Sequence, residues 1–175
     1  RPRLVVVGPP GAGKTTTGKE LAKLLGVAFR DVDHDIELAA GKSISEIFTV
    51  DGEPAFRDLE ERAVAAALTD HPGVLALGGG AVLSALTRQR LRGHTVVFLN
   101  VGMADGVRRT GLSAARPLLA GVNPRATFKA LLDARLPLYR EVAVIEVLTD
   151  GRTQREAARQ AYEALSAVDV TTKGS

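Results

Sequence analysis

Residues 8–15, Gly8-Pro9-Pro10-Gly11-Ala12-Gly13-Lys14-Thr15, fit the phosphate-binding pattern G-x-x-x-x-G-K-[ST] at every fixed position. Leu4-Val5-Val6-Val7 ahead of them reads as a buried strand, and Thr16 to Leu25 behind them as an amphipathic helix. A loop so placed turns successive backbone N–H groups toward one point, where the positive end of the helix dipole favours an anion. The glycines remove Cβ atoms that would hold a phosphate away from the backbone. Lys14 brings a point charge to the β- and γ-phosphates of a nucleoside triphosphate, and the Thr15 hydroxyl offers an oxygen to Mg²⁺. A chance Gly-rich turn accounts for the loop but not for both flanks. The stretch predicts a nucleoside-triphosphate site.

Outward from it, apolar runs recur at Val27 to Val32, at Val74 to Leu77 after a Pro72-Gly73 turn, at Thr95 to Leu99, and at Val142 to Leu148. Helical patterns separate them, clearest in Phe56 to Leu68, Thr127 to Leu136 and Arg155 to Leu165. Five strands alternating with helices predict an α/β fold, a parallel sheet covered on both faces. Ligands bind such sheets at the carboxyl ends of the strands. Ser43-Ile44-Ser45-Glu46 reads as a capping box opening a short helix through Phe48. Gly111 to Pro124 has no clear period and carries Arg116-Pro117, the pattern of a lid. The chain reads as one domain over 1–168, with a polar tail, 169–175, expected to fray.

At 175 residues, with 45% hydrophobic and 25% charged residues, the composition is that of an ordinary globular domain. The absence of cysteine excludes disulfides, thiol chemistry and Cys-based metal sites. No apolar stretch is long enough to cross a bilayer, so a cytoplasmic protein with no membrane partner is expected. The net charge is +3 and the pI about 9.5, yet aromatics are only 4%. Arginines spread over several loops without interleaved aromatics argue against nucleic acid and for small anionic ligands.

Several groups then compete for a role. Asp31-Val32-Asp33 closes the second apolar run, and alternate residues of a strand face the same way, about 6.6 Å apart. Both carboxylates could enter one cleft, one toward a metal-bound water and the other toward a hydroxyl; equally, they could cap the next helix. Gly78-Gly79-Gly80 offers a backbone surface for a substrate, or room for strand–helix packing. Arg57 has Glu53, Glu60 and Glu61 at helical spacing, which fits either an exposed ion pair or an anion clamp. Arg135 is equally ambiguous. His34, His71 and His94 lack metal-ligand spacing and read as structural or surface residues.

Taken together, GPPGAGKTT, DVD, EPAFRDLE, GGGAV, ARPLLAG and ARLPLYREVA closely resemble shikimate kinase, in that family's order and over nearly the whole chain. The resemblance implies a nucleoside-monophosphate-kinase-like fold, a three-layer α/β/α sandwich whose five-stranded parallel sheet runs 2-3-1-4-5. It implies ATP-dependent phosphorylation of the shikimate 3-hydroxyl on the way to chorismate and the aromatic amino acids, by a monomer. Gly11, Ala12, Gly13, Lys14, Thr15 and Thr16 would hold the ATP phosphates, Thr15 would ligate Mg²⁺, and Asp31 would reach the metal through water. Asp33, Arg57, Gly79, Gly80 and Arg135 would hold shikimate, over helices at about 33–61. Arg116 in the lid would meet the phosphates, so that Lys14, Asp33 and Arg116 carry the chemistry. Arg152 would lie beside adenine, with Arg109 a weaker candidate. Lid residues 112–115 and 122–125 match no pattern of the family. A carboxylate is well gripped by guanidinium forks, so this part of the resemblance agrees with the chemistry of the ligand. A sugar acid such as gluconate has the same groups, which keeps a gluconate kinase as the alternative. A nucleotide-binding regulator without transfer activity is the other.

Overall fold

Leu4–Val7 form β1, and none of the four is more than 1% exposed. A strand buried on both faces belongs inside a parallel sheet, and β1 is its middle strand. The structure, a computed structural model, describes residues 1–102 and 124–173. Strands β2 (Phe29–Asp31), β3 (Val74–Ala76), β4 (Val96–Asn100) and β5 (Ile145–Leu148) complete the sheet. The order is β2-β3-β1-β4-β5 and every pair is parallel, as the family resemblance implied. Helices α1 (Lys14–Leu25), α2 (Val32–Ala40), α3 (Ile44–Glu46), α4 (Glu53–Asp70), α5 (Ala85–Arg90), α6 (Pro124–Val142) and α7 (Gln154–Lys173) surround it.

Alternation along the strands divides the core in two. Leu4 and Val6 of β1 join Val97 and Leu99 of β4 under α1 and α7. Val5 and Val7 join Val96 and Phe98 under α2, α4 and α5. Helix α6 serves both layers, giving Phe128 to the first and Tyr139 to the second.

Among the boundaries that differ from the sequence expectation, three have a clear physical reason. The second strand ends at Asp31, because the Asp31 carboxylate accepts the Asp33 backbone N–H at 3.0 Å and starts α2 there. Helix α1 begins at Lys14, two residues early, on the left-handed Gly13. The segment expected as strand from Val142 instead ends α6, which runs through Pro137. Proline in a helix costs about 3 kcal/mol, and burial of Tyr139 with partial burial of Leu136, Leu138 and Val142 against the core opposes that cost. At the far end, α7 runs from Gln154 to Lys173. The N-cap half of the expected capping box is present: Ser43 Oγ accepts the Glu46 N–H at 3.2 Å. A wide helical turn follows, in which the Gly52 N–H reaches back to the Ile47 carbonyl at 3.1 Å. Of the lid expected over Gly111 to Pro124, residues 111–123 lie outside the described residues, as does Arg109, while Pro124 begins α6.

Gly73 closes the turn into β3, where a Cβ would run into the backbone carbonyl of Ala28. That carbonyl accepts the Val74 N–H at 2.9 Å, so it cannot move without breaking the β2–β3 ladder. Gly73→Ala is expected to cost about 1–3 kcal/mol, read as a lower urea midpoint at an unchanged slope. A wild-type midpoint would show that the turn can shift as a unit.

Candidate active site

The phosphate-type loop bridges β1 and α1 as the sequence requires. Gly13 sits at φ 80° and ψ 30°, a conformation costly for any residue with a Cβ, and no side chain caps the helix above it. A Cβ on Gly8 would lie 2.6 Å from the Leu99 carbonyl oxygen, so the loop leaves β1 pressed against β4. The Lys14 ammonium, with the residue only 8% exposed, donates to the carbonyls of Gly8 at 2.8 Å and Pro9 at 3.0 Å. The loop thus folds around its own cation.

Asp31 joins this loop to the next element. One carboxylate oxygen caps α2, and the other accepts the Thr15 hydroxyl at 3.0 Å. Thr15, Asp31 and Asp33 line a cleft of about 650 Å³. Asp33 is therefore delivered by the first turn of a helix and not by strand alternation with Asp31. The capping alternative holds for Asp31, and it is what aims Asp33.

Beside this cleft the charges are buried in pairs. The Arg57 guanidinium on α4 donates to Glu60 Oε1 at 2.8 Å and to Glu53 Oε1 at 3.3 Å. It also lies over the Phe56 ring at 5.2 Å and the Phe48 ring at 5.9 Å. Glu60 is buried, which sets this pair apart from an exposed helical ion pair. Arg135 on α6 is 6% exposed, and burial holds its guanidinium below the usual arginine range. It lies beside the Tyr139 hydroxyl, which donates to the Gly79 carbonyl.

The three glycines after β3 are where these parts meet. A Cβ on Gly78 would fall 2.7 Å from Asp33 Oδ1 and 2.8 Å from Glu60 Oε2. One on Gly79 would fall 3.0 Å from the Pro10 ring, and one on Gly80 would strike the Arg57 guanidinium. Arg57, Glu60 and Gly80 line a second cleft of about 480 Å³. Lys14, Thr15, Asp31, Asp33, Arg57, Gly79, Gly80 and Arg135 are thus linked by direct contacts or through the glycine loop. Arg152 is exposed after β5, two residues before Gln154, whose side chain lies 3.1 Å from where a Cβ on Gly13 would sit.

This arrangement has counterparts. The sequence pattern that defines the shikimate kinase family matches residues 10–166. The chain belongs to the shikimate kinase family. It is 73% identical over 150 residues to a shikimate kinase of Saccharopolyspora erythraea, covering 86% of each chain. It is 60% identical over 166 residues to one of Salinispora arenicola, covering 95% of this chain and 99% of that one. Among solved structures, a shikimate kinase from Acinetobacter baumannii in complex with shikimate superposes with a TM-score of 0.91 at 39% identity, covering 94% of this chain and 92% of that one.

Within this member of the shikimate kinase family, the residues that sequence reasoning undervalued are Glu60 and Tyr139. Glu60 was visible only as one of several acids at helical spacing from Arg57. Burial pushes its carboxyl above the ordinary range, outweighing the opposite pull of Arg57. An acid raised in this way binds more protons folded than unfolded between 4.5 and its raised value. Its contribution to stability is therefore present below 4.5 and lost as pH rises through that raised value. Against Glu60→Gln, the wild type should lose relative stability in urea unfolding as pH rises above 4.5. A difference that grows with pH would mean that attraction to Arg57 dominates.

Proposed function

We propose that this site transfers the γ-phosphoryl group of ATP to the 3-hydroxyl of shikimate, giving shikimate 3-phosphate and ADP. One observation carries the assignment. Two guanidinium groups from different helices converge near the glycine loop that Asp33 abuts, next to the phosphate-type loop: Arg57 against Gly80, and Arg135 beside the Tyr139 hydroxyl that holds Gly79. Shikimate is a small ring with one carboxylate and three hydroxyls. Its carboxylate suits the arginines, and its hydroxyls suit Asp33 and the backbone of Gly79 and Gly80.

Gly11, Ala12, Gly13, Thr15 and Thr16 wrap the phosphates of ATP, and Lys14 exchanges the carbonyls of Gly8 and Pro9 for phosphate oxygens. Asp33 accepts the hydrogen bond of the attacking hydroxyl and orients its oxygen. Because phosphoryl transfer has a loose transition state, Asp33 takes the proton late. Arg116 meets the charge that develops on the transferring group, and Arg152 lies on the adenine side. Thr15 and Asp31 fit a magnesium ion: their hard oxygens already meet at 3.0 Å beside the loop. Bound there with the nucleotide, Mg²⁺ would neutralise phosphate charge.

The enzyme is further expected to act as a cytoplasmic monomer without nucleic-acid or membrane partners. No described helix is long and apolar enough to cross a membrane. Sedimentation tests the monomer.

A coupled ADP-release assay offering shikimate, gluconate and nucleoside monophosphates in parallel should respond to shikimate alone. Turnover of gluconate without turnover of shikimate would sink the proposal. Asp33→Asn should lower turnover by about 10²–10⁴-fold while ATP binding stays within about twofold. Equal losses in both would move Asp33 to the metal site. Arg57→Ala should weaken shikimate binding by about 2–5 kcal/mol, and a wild-type constant would reduce Arg57 to a structural ion pair.

A further inference from the structure

Tyr139 lies one helical turn beyond Arg135 on α6, so the two side chains leave the same side of the helix. Its ring is fully buried, stacked on Phe98 of β4 with centroids 4.9 Å apart and planes at 19°. A phenol this deep needs a hydrogen-bond partner for its hydroxyl. Tyr139 has one: Oη donates to the Gly79 carbonyl, 60 residues away in the chain, with the Arg135 guanidinium beside it. Burial pushes the phenol up to about 12, so the proton that makes this bond stays in place throughout the physiological range.

The bond to Gly79 reaches further than one carbonyl. The peptide joining Gly79 to Gly80 is planar and trans, so its C=O and N–H point in opposite directions. Holding the carbonyl on Tyr139 fixes the Gly80 N–H to point away from that hydroxyl. Glycine has no intrinsic preference strong enough to do this, since both signs of φ are open to it. Beside the same oxygen, the Arg135 guanidinium carries five N–H groups, enough to face both the hydroxyl and a ligand. Phe98, rigid in the central sheet, holds the ring that holds the hydroxyl.

We infer that Tyr139 is a positioning residue for the phosphoryl acceptor, its hydroxyl holding the Arg135 guanidinium and the Gly79–Gly80 peptide in one fixed register. This rests on the reading that Arg135 and the glycine loop receive shikimate. Tyr139 itself need not touch the ligand. It supplies orientation to two groups that reach the acceptor from different elements, and nothing to the nucleotide side.

The test is Tyr139→Phe, which keeps the ring and removes one oxygen, measured beside Leu165→Ala and Arg135→Gln. Tyr139→Phe should raise the shikimate KM about tenfold, the effect of one lost orienting hydrogen bond, with the ATP KM unchanged. Leu165→Ala, which loosens the core layer on the other side of the sheet, should lower the melting temperature and leave the shikimate KM at the wild-type value. If Tyr139→Phe lowers the melting temperature without changing the shikimate KM, or raises both KM values equally, the hydroxyl is merely structural and the inference is overturned. Arg135→Gln separates the two levels. Should it leave the shikimate KM unchanged, the reading beneath fails. Should it raise that KM while Tyr139→Phe does not, only the positioning role fails. If Tyr139→Phe is unstable at assay temperature, calorimetric titration with shikimate in the cold gives the same comparison from binding constants.

Discussion

Val5 and Val6 of β1 pair in parallel with strands on both sides, opposite Leu75 and Ala76 of β3 and Val96 and Val97 of β4. A strand bonded along both edges and buried on both faces can be approached only at its ends. Because all five strands run the same way, their carboxyl ends and the loops that follow share one rim. The phosphate-type loop, the start of α2 and the three glycines leave that rim from β1, β2 and β3, which are neighbours in the sheet. Residues 15 and 31 come into hydrogen-bond contact this way, as do residues 79 and 139. Helix geometry then carries Arg57 and Glu60 back over the glycines from the start of α4.

The rim stores charge in a form that a ligand can use. Lys14, Glu60 and Arg135 are each less than a tenth exposed, and each removal from water carries a desolvation penalty. Protein groups offset it: carbonyls for Lys14, Arg57 for Glu60, a tyrosine hydroxyl for Arg135. These partners also hold the side chains in place, so little rotamer freedom remains to be lost on binding. A site assembled in advance spends less of the ligand's binding energy on its own ordering.

Much of this was legible in the residues. The loop at 8–15 announced itself because its pattern, the strand before it and the helix after it all agree. The parallel sheet followed from apolar runs separated by helical ones, while the strand order came from the family resemblance. What misled was local. Val32 is β-branched and reads as strand, yet the Asp31 carboxylate captures the Asp33 amide and starts a helix one residue earlier than propensity suggests. Pro137 reads as a helix stop, yet Tyr139 two residues later is buried and the helix goes on. Spacing cannot tell which of the acids near Arg57 is buried, because that depends on the glycine loop packed against α4. Nor could it reveal a hydroxyl joining residues 60 positions apart.

The glycine loop has a consequence for how such a protein can vary. Gly78, Gly79 and Gly80 are each pressed by a different neighbour: two carboxylates, a proline ring and a guanidinium. Every substitution at these positions adds at least a methyl group, so every single mutational step from them begins with a collision. Elsewhere in a core, a chain can drift through residues of intermediate size and arrive at a new packing. Here no smaller residue exists to serve as a stepping stone. A side chain at any of the three positions must displace the neighbour pressed against it, Asp33 and Glu60, Pro10 or Arg57, from the arrangement that builds the site.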